Sequence, residues 1–154
     1  MEEIDELFDI TSFITNKIFV IKFNSLNLRL TDLKILKFFE DFEKAIQSLY
    51  DERIKSACFL FVLNEIFIPT NFKFLTDFAN VLKKHNVIIL EKISFSIIQN
   101  DSNIFKLFFN VFKMYYEPKK SLYLCNDNEQ TELCLNNEEE RKNIPNILSM
   151  LQNS

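Results

Sequence analysis

A chain of 154 residues with no glycine cannot turn in the usual way. Glycine enters left-handed backbone at no steric cost, so tight turns here must fall to asparagine or aspartate, the next most tolerant residues. The same absence removes classes of chemistry. Phosphate-cradling loops and the nucleophile elbow of hydrolases require glycine at fixed offsets. In its place stands apolar bulk, with 18 Phe and no Trp. Phe, Ile, Lys and Asn are also the residues an AT-biased genome enriches, so this phenylalanine-rich composition reads first as codon drift and second as function. The length suits one domain, and a chain this long buries about 68–70% of its unfolded surface, enough for a core without a metal or a disulfide.

Periodicity supplies the elements. Asp9 to Thr15 and Lys17 to Phe23 are rich in β-branched and aromatic residues, with Asn16-Lys17 between them, and read as a hairpin. Thr31 is placed to cap a helix whose apolar face is Ile35, Phe38, Phe39, Phe42, Ala45, Ile46 and Leu49. Ala57 to Leu63 is apolar without alternation, as in a strand covered on both faces. Thr70 or Asn71 caps a second helix, with Phe74, Leu75, Phe78, Val81 and Leu82 on its apolar face; Asn86 is the expected left-handed stop. Val87 to Leu90 reads as the start of another strand, which Ile93 to Ile98 extends or follows. A third helix is expected from Asp101 or Ser102 to Tyr115, ended by Pro118. Ser121 to Cys125 forms a strand, Asn126 to Thr131 a polar turn and Glu132 to Leu135 a short edge strand. Pro145 opens a short final helix through Leu151. The order β-β-α-β-α-β-α-β-α implies an α/β fold with a mostly parallel sheet of four to six strands and an N-terminal hairpin, with helices packed on it. Residues 1–154 read as one domain, with 136–154 a helical tail.

Catalytic chemistry is sparse. The single histidine, His85, lies in Lys-Lys-His-Asn at a helix end, where a solvated terminus is the plain reading. Any Ser-His or Cys-His arrangement would have to use it. Acidic pairs such as Glu40-Asp41 and Asp51-Glu52 lie in polar runs and read as surface. Asp127-Asn128-Glu129 could hold a cation weakly, but the calcium-loop pattern is missing. Cys58, Cys125 and Cys134 have no metal-type spacing; the first two sit in apolar strands and read as buried small hydrophobes, which fits a reducing cytoplasm. No catalytic, cofactor or metal residue is assigned. No apolar run reaches 18 residues, and the acidic N-terminus is unlike a signal peptide, so no membrane contact is expected. The net charge is −4, against a general nucleic-acid binder. The basic clusters Lys83-Lys84 and Lys119-Lys120 read as solvated helix ends and turns, or as phosphate or RNA contacts within a larger assembly.

The element order, and the stretch Phe61-Val-Leu-Asn-Glu-Ile-Phe-Ile-Pro-Thr-Asn-Phe-Lys-Phe-Leu75, resemble the STAS domain, the fold of bacterial anti-sigma-factor antagonists. That family has an apolar strand, then Asp-Ser-Ser/Thr-Gly, then an amphipathic helix. Pro69 stands here at the Asp position, Thr70 at the first Ser, Asn71 at the phospho-accepting Ser and Phe72 at the Gly. Only Thr70 keeps a hydroxyl, so the family's phosphorylation switch is not expected. The resemblance covers about four-fifths of the chain, Asp9 to Glu132. It implies a binding module that docks a partner through the loop before the second helix and the neighbouring helix face, with Thr70, Asn71 and Lys73 as contacts. Helix N-terminal N–H groups there would favour an anionic group.

The expectation is therefore a non-enzymatic protein-interaction or regulatory domain, bound to a protein partner or to itself. The alternatives are an accessory subunit of a ribonucleoprotein assembly and a small-ligand or enzymatic domain.

Overall fold

The computed structural model describes residues 7–26, 31–63, 72–100 and 119–147. The hairpin forms as read: β1 (Phe8–Thr15) and β2 (Ile18–Ser25) pair antiparallel, Thr15 opposite Ile18. Asn16 (φ 49°) and Lys17 (φ 65°) make the turn, and they are the only non-glycine residues with positive φ among those described. Two consecutive positive φ values mark the type I′ turn, which matches the twist of the strands and usually employs Asn-Gly. A lysine in the second position pays for its Cβ with about 1–2 kcal/mol of steric strain.

α1 (Asp32–Gln47) starts where expected, with the Thr31 hydroxyl accepting from the Lys34 N–H at 3.3 Å. A 3₁₀ turn (Ser48–Tyr50) leads to β3 (Ala57–Val62), then α2 (Phe72–Lys84), α3 (Asn86–Lys92), β4 (Ile93–Gln99) and β5 (Ser121–Cys125). α4 (Asn128–Asn136) and α5 (Glu138–Arg141) follow. The sheet order is β1-β2-β3-β4-β5, and every pair after the hairpin is parallel. The expected helix over 101–115 lies outside the described residues. So does the final helix beyond Ile147.

Strand alternation sorts side chains into two cores. One face carries Ile21, Phe23, Ala57, Phe59, Ile93 and Ile98 against Phe38, Phe42 and Ile46 of α1, Phe74, Leu75 and Ala79 of α2 and Ile88 and Ile89 of α3. The other carries Val20, Cys58, Leu60, Phe95, Ile97 and Cys125 against Cys134 and Leu135 of α4 and Ile144. Ile93 and Phe95 reach opposite cores because the register slips by one residue, Ala57 facing Ile93 and Cys58 facing Phe95, with Ser94 as the extra residue of a bulge.

Three readings need correction. Val87 to Leu90 is not a strand: it lies in α3, where Val87 is exposed and Ile88 and Ile89 are buried. Four apolar residues in a row are compatible with a strand or a helix, and the buried set here falls at helical spacing from His85. Asn86 is not a left-handed stop. The His85 N–H reaches the Val81 carbonyl and the Ile89 N–H reaches that of His85, so helical bonding passes through it with a bend at His85. Glu132 to Leu135 is not an edge strand but the body of α4, which starts in the supposed polar turn because Asp127 caps it, Oδ1 accepting from the Gln130 N–H at 2.8 Å. The Arg141 guanidinium closes the other end, donating to the Cys134 and Leu135 carbonyls at 2.6 and 3.2 Å while lying 4.1 Å from the Phe95 ring centroid.

Two stability changes are expected. Lys17→Gly relieves the turn and should raise the unfolding free energy by about 0.5–1 kcal/mol after the added freedom of the unfolded chain is counted. Denaturant titration would check this; a loss would contradict the turn assignment. Phe23→Ala, at a position with no exposure, should cost about 3–5 kcal/mol. Phe61→Ala should cost less, since Phe61 is only half-buried.

Candidate functional site

The parallel strands set up two ends. β2 and β3 deliver the chain to the starts of α1 and α2 at their carboxyl ends. Those two helices pack side by side, with the Phe39 and Phe74 ring centroids 5.4 Å apart. Thr31, Asp32 and Lys73 therefore share one rim of the molecule. Lys73 Nζ donates to Asp77 across one turn at 2.8 Å, and that hydrogen bond, with the charges of Asp77 and Asp32, raises the ammonium pKa. The lysine remains 82% exposed and the pair is worth little in stability. Along α1 from this rim, Leu33 (67% exposed) and Leu36 (58%) point outward one turn apart. Both break the apolar-inside pattern of the helix, and neither featured in the sequence reading. The signal was available: Leu33 and Leu36 sit off the stripe defined by Phe38, Phe42 and Ile46. Thr70 and Asn71 lie outside the described residues, so of the three expected contacts only Lys73 is placed.

The basic clusters belong to the other end. By connectivity Lys83 and Lys84 close α2, and Lys119 and Lys120 precede β5, all toward the amino ends of the parallel strands. Lys83 is exposed. Lys84 Nζ lies 3.3 Å from both Glu43 carboxylate oxygens. Nearby, Arg53 is bound by Asp51 at 2.7 Å, which holds that carboxyl down to about 2, and Lys92 donates to the Ile54 carbonyl. Acidic and carbonyl groups thus interleave with the basic ones at this end.

His85 is not a solvated helix terminus. It is buried, at 7% exposure, and Nε2 lies 3.2 Å from Glu43 Oε2, a distance at which the ring N–H donates to the carboxylate. Glu43 comes from α1 and is 42 residues away, so no local pattern could reveal it. The Glu43 carboxyl feels opposed effects. Burial pushes its pKa up, but hydrogen bonds from His85 and Lys84, together with their charges, outweigh this and leave it below its ordinary 4.5. The one imidazole therefore ties α1 to the α2–α3 bend.

All three cysteines are buried in the second core, Cys134 included. Burial drives the Cys58 thiol pKa strongly upward. The neighbouring Cys125, with burial, pushes the Cys134 thiol pKa up, and Cys134 in turn lowers that of Cys125. Asp127, proposed as a weak cation ligand, is occupied in capping α4. Among the described residues no group of His, Cys, Asp and Glu could hold a metal ion, and no helix is long and apolar enough to cross a membrane. No protein-family model matches the chain, no curated protein matches its sequence, and no solved structure matches its fold.

A depressed carboxylate stabilises the fold above its unfolded pKa, and that stability is lost as pH falls through the folded value. Acidification from 4.5 downward should therefore remove the Glu43 contribution. Glu43→Ala at neutral pH should cost about 1–3 kcal/mol, because it leaves a buried imidazole nitrogen unpaired. Urea midpoints from pH 7 to pH 3 would check both; equal pH slopes for wild type and variant would contradict the pairing.

Proposed function

We propose that the chain is a non-enzymatic protein-interaction module of STAS-like order. It docks a protein partner through the rim formed by the starts of α1 and α2. The observation that carries this reading is the strand order. Ligand crevices in open α/β sheets form where the order of strands reverses. From β1 to β5 this sheet never reverses, which favours a surface over a crevice as the working part. Exposed Leu33 and Leu36 beside the charged Lys73 supply an apolar centre with a polar margin, the composition of a docking patch. That His85 is held in a buried pair further supports a structural use of the residue on which most nucleophilic mechanisms would depend.

Cross-linking the full chain to its partners in the source cell, followed by peptide mapping, tests the reading. Protein cross-links are expected at Lys73 and Lys37. Leu36→Glu should abolish them while shifting the unfolding free energy by no more than about 0.5 kcal/mol, as surface changes do. Recovery of RNA that dissociates at raised salt, through Lys83, Lys84, Lys119 and Lys120, would support the assembly-subunit alternative instead. Turnover abolished by His85→Gln would support an enzyme.

A further inference from the structure

The two edges of the sheet are finished differently. At β5 the chain returns on itself: the Leu124 N–H donates to the Pro145 carbonyl at 2.9 Å, and Asn146 bridges to Tyr123. The Asn146 side chain accepts from the Leu122 N–H and donates to the Ser121 hydroxyl, at 3.2 and 3.1 Å. At β1 no described residue does the same. In a two-residue hairpin the residues flanking the turn form a doubly bonded pair, so Thr15, Phe13, Thr11 and Asp9 direct their backbone groups to β2. Ile10, Ser12 and Ile14 direct theirs outward, and no described backbone group bonds them there. The strand is eight residues long, unbulged, and contains no proline or lysine. Those are the devices that normally keep an edge from pairing. Ile14 is 74% exposed and Phe13 39%.

We propose that β1 is a homotypic interface, on which a second copy of this chain adds its own β1 antiparallel about a two-fold axis through Ser12. This surface is distinct from the α1–α2 rim and does not rest on the docking role given to that rim. Three features select the occupant and the register. Asp9 is the one charged residue of β1. Parallel addition would set it against its own copy, whereas the antiparallel arrangement separates the two carboxylates by about 20 Å, six residues of extended chain. With Ser12 on the axis, outward-facing residues meet outward-facing residues, as the ladder demands: Ser12 faces Ser12, and Ile10 faces Ile14 on both sides. On the opposite face Asp9 meets Thr15, whose hydroxyl donates to Asn136 Oδ1 at 2.6 Å, and Thr11 meets Phe13, so the exposed apolar side chains are covered. The pairing is isologous and closes after two copies. It joins the two five-stranded sheets into one and leaves the β5 edges capped.

Sedimentation equilibrium of the full chain across a concentration series tests this. Wild type is expected as a monomer–dimer equilibrium. Ile14→Lys should be monomeric at every concentration with an unchanged circular dichroism spectrum. Ser12→Cys fixes the register. Residues opposite each other in a doubly bonded pair have Cα atoms about 5.5 Å apart, within disulfide reach. Oxidised Ser12→Cys should run as a covalent dimer and Thr15→Cys as a monomer. A wild type that stays monomeric throughout, a dimer that survives Ile14→Lys, species larger than a dimer, or equal cross-linking of the two cysteine variants would each overturn the proposal.

Discussion

The packing of phenyl rings on one face of the sheet determines most of what surrounds it. Phe23 on β2 meets the rings of Phe8, Phe38, Phe42, Phe59 and Phe61, the last stacked at 4.7 Å. Phe38 and Phe42 carry the contact into α1, and Phe74 and Phe78 carry it into α2. Each ring buries a large apolar area, and edge and offset contacts add about 0.5–1.5 kcal/mol per pair. Three strands and two helices are thus joined by one continuous set of contacts. The opposite face is built from smaller side chains, Val20, Cys58, Cys125 and Cys134, with Arg141 fastening α4 over Phe95. Among the described residues, Phe23, Phe38, Phe42, Phe59 and Phe74 are thereby buried as core.

That packing also sets where function can lie. With α1 and α2 clamped to the same face and to each other, their starts are fixed side by side at the carboxyl ends of β2 and β3. Leu33, Leu36 and Lys73 are held there on rigid elements rather than on loops. At the far end of the same helices, Glu43, Lys84 and His85 form a second tie that secures the bend between α2 and α3. His85 and Lys84 are engaged in this structural work, while Leu33 and Leu36 stay exposed at the carboxyl-end rim.

Much of the fold was legible because local signals were strong. Thr31 with its following stripe, Asn16-Lys17 between two β-branched runs, and the unbroken Ala57 to Leu63 each had one physical interpretation. Val87 to Leu90 did not: four apolar residues carry no period, and only the neighbouring His85 reveals that the buried positions are three and four apart. Glu132 to Leu135 misled for a related reason, since Cys134 and Leu135 are buried as adjacent positions of a short helix whose start is dictated by the Asp127 cap. The His85–Glu43 pair was beyond sequence reasoning, because it is made by tertiary packing of two helices. Left-handed backbone fell to Asn16 as anticipated, and to Lys17, which a glycine-free chain had to use once the hairpin demanded two positive φ values.

If the ring cluster holds the fold together, protection against hydrogen exchange should be greatest where it is anchored. Native-state exchange followed amide by amide is the most direct measurement. The slowest amides are expected in β2 and β3 at Ile21, Phe23, Phe59 and Leu60, and in α1 at Phe42 and Ile46, all exchanging only through global unfolding. Greater protection in α4 or β5 than in these segments would show that the opposite core governs stability, and would contradict the account.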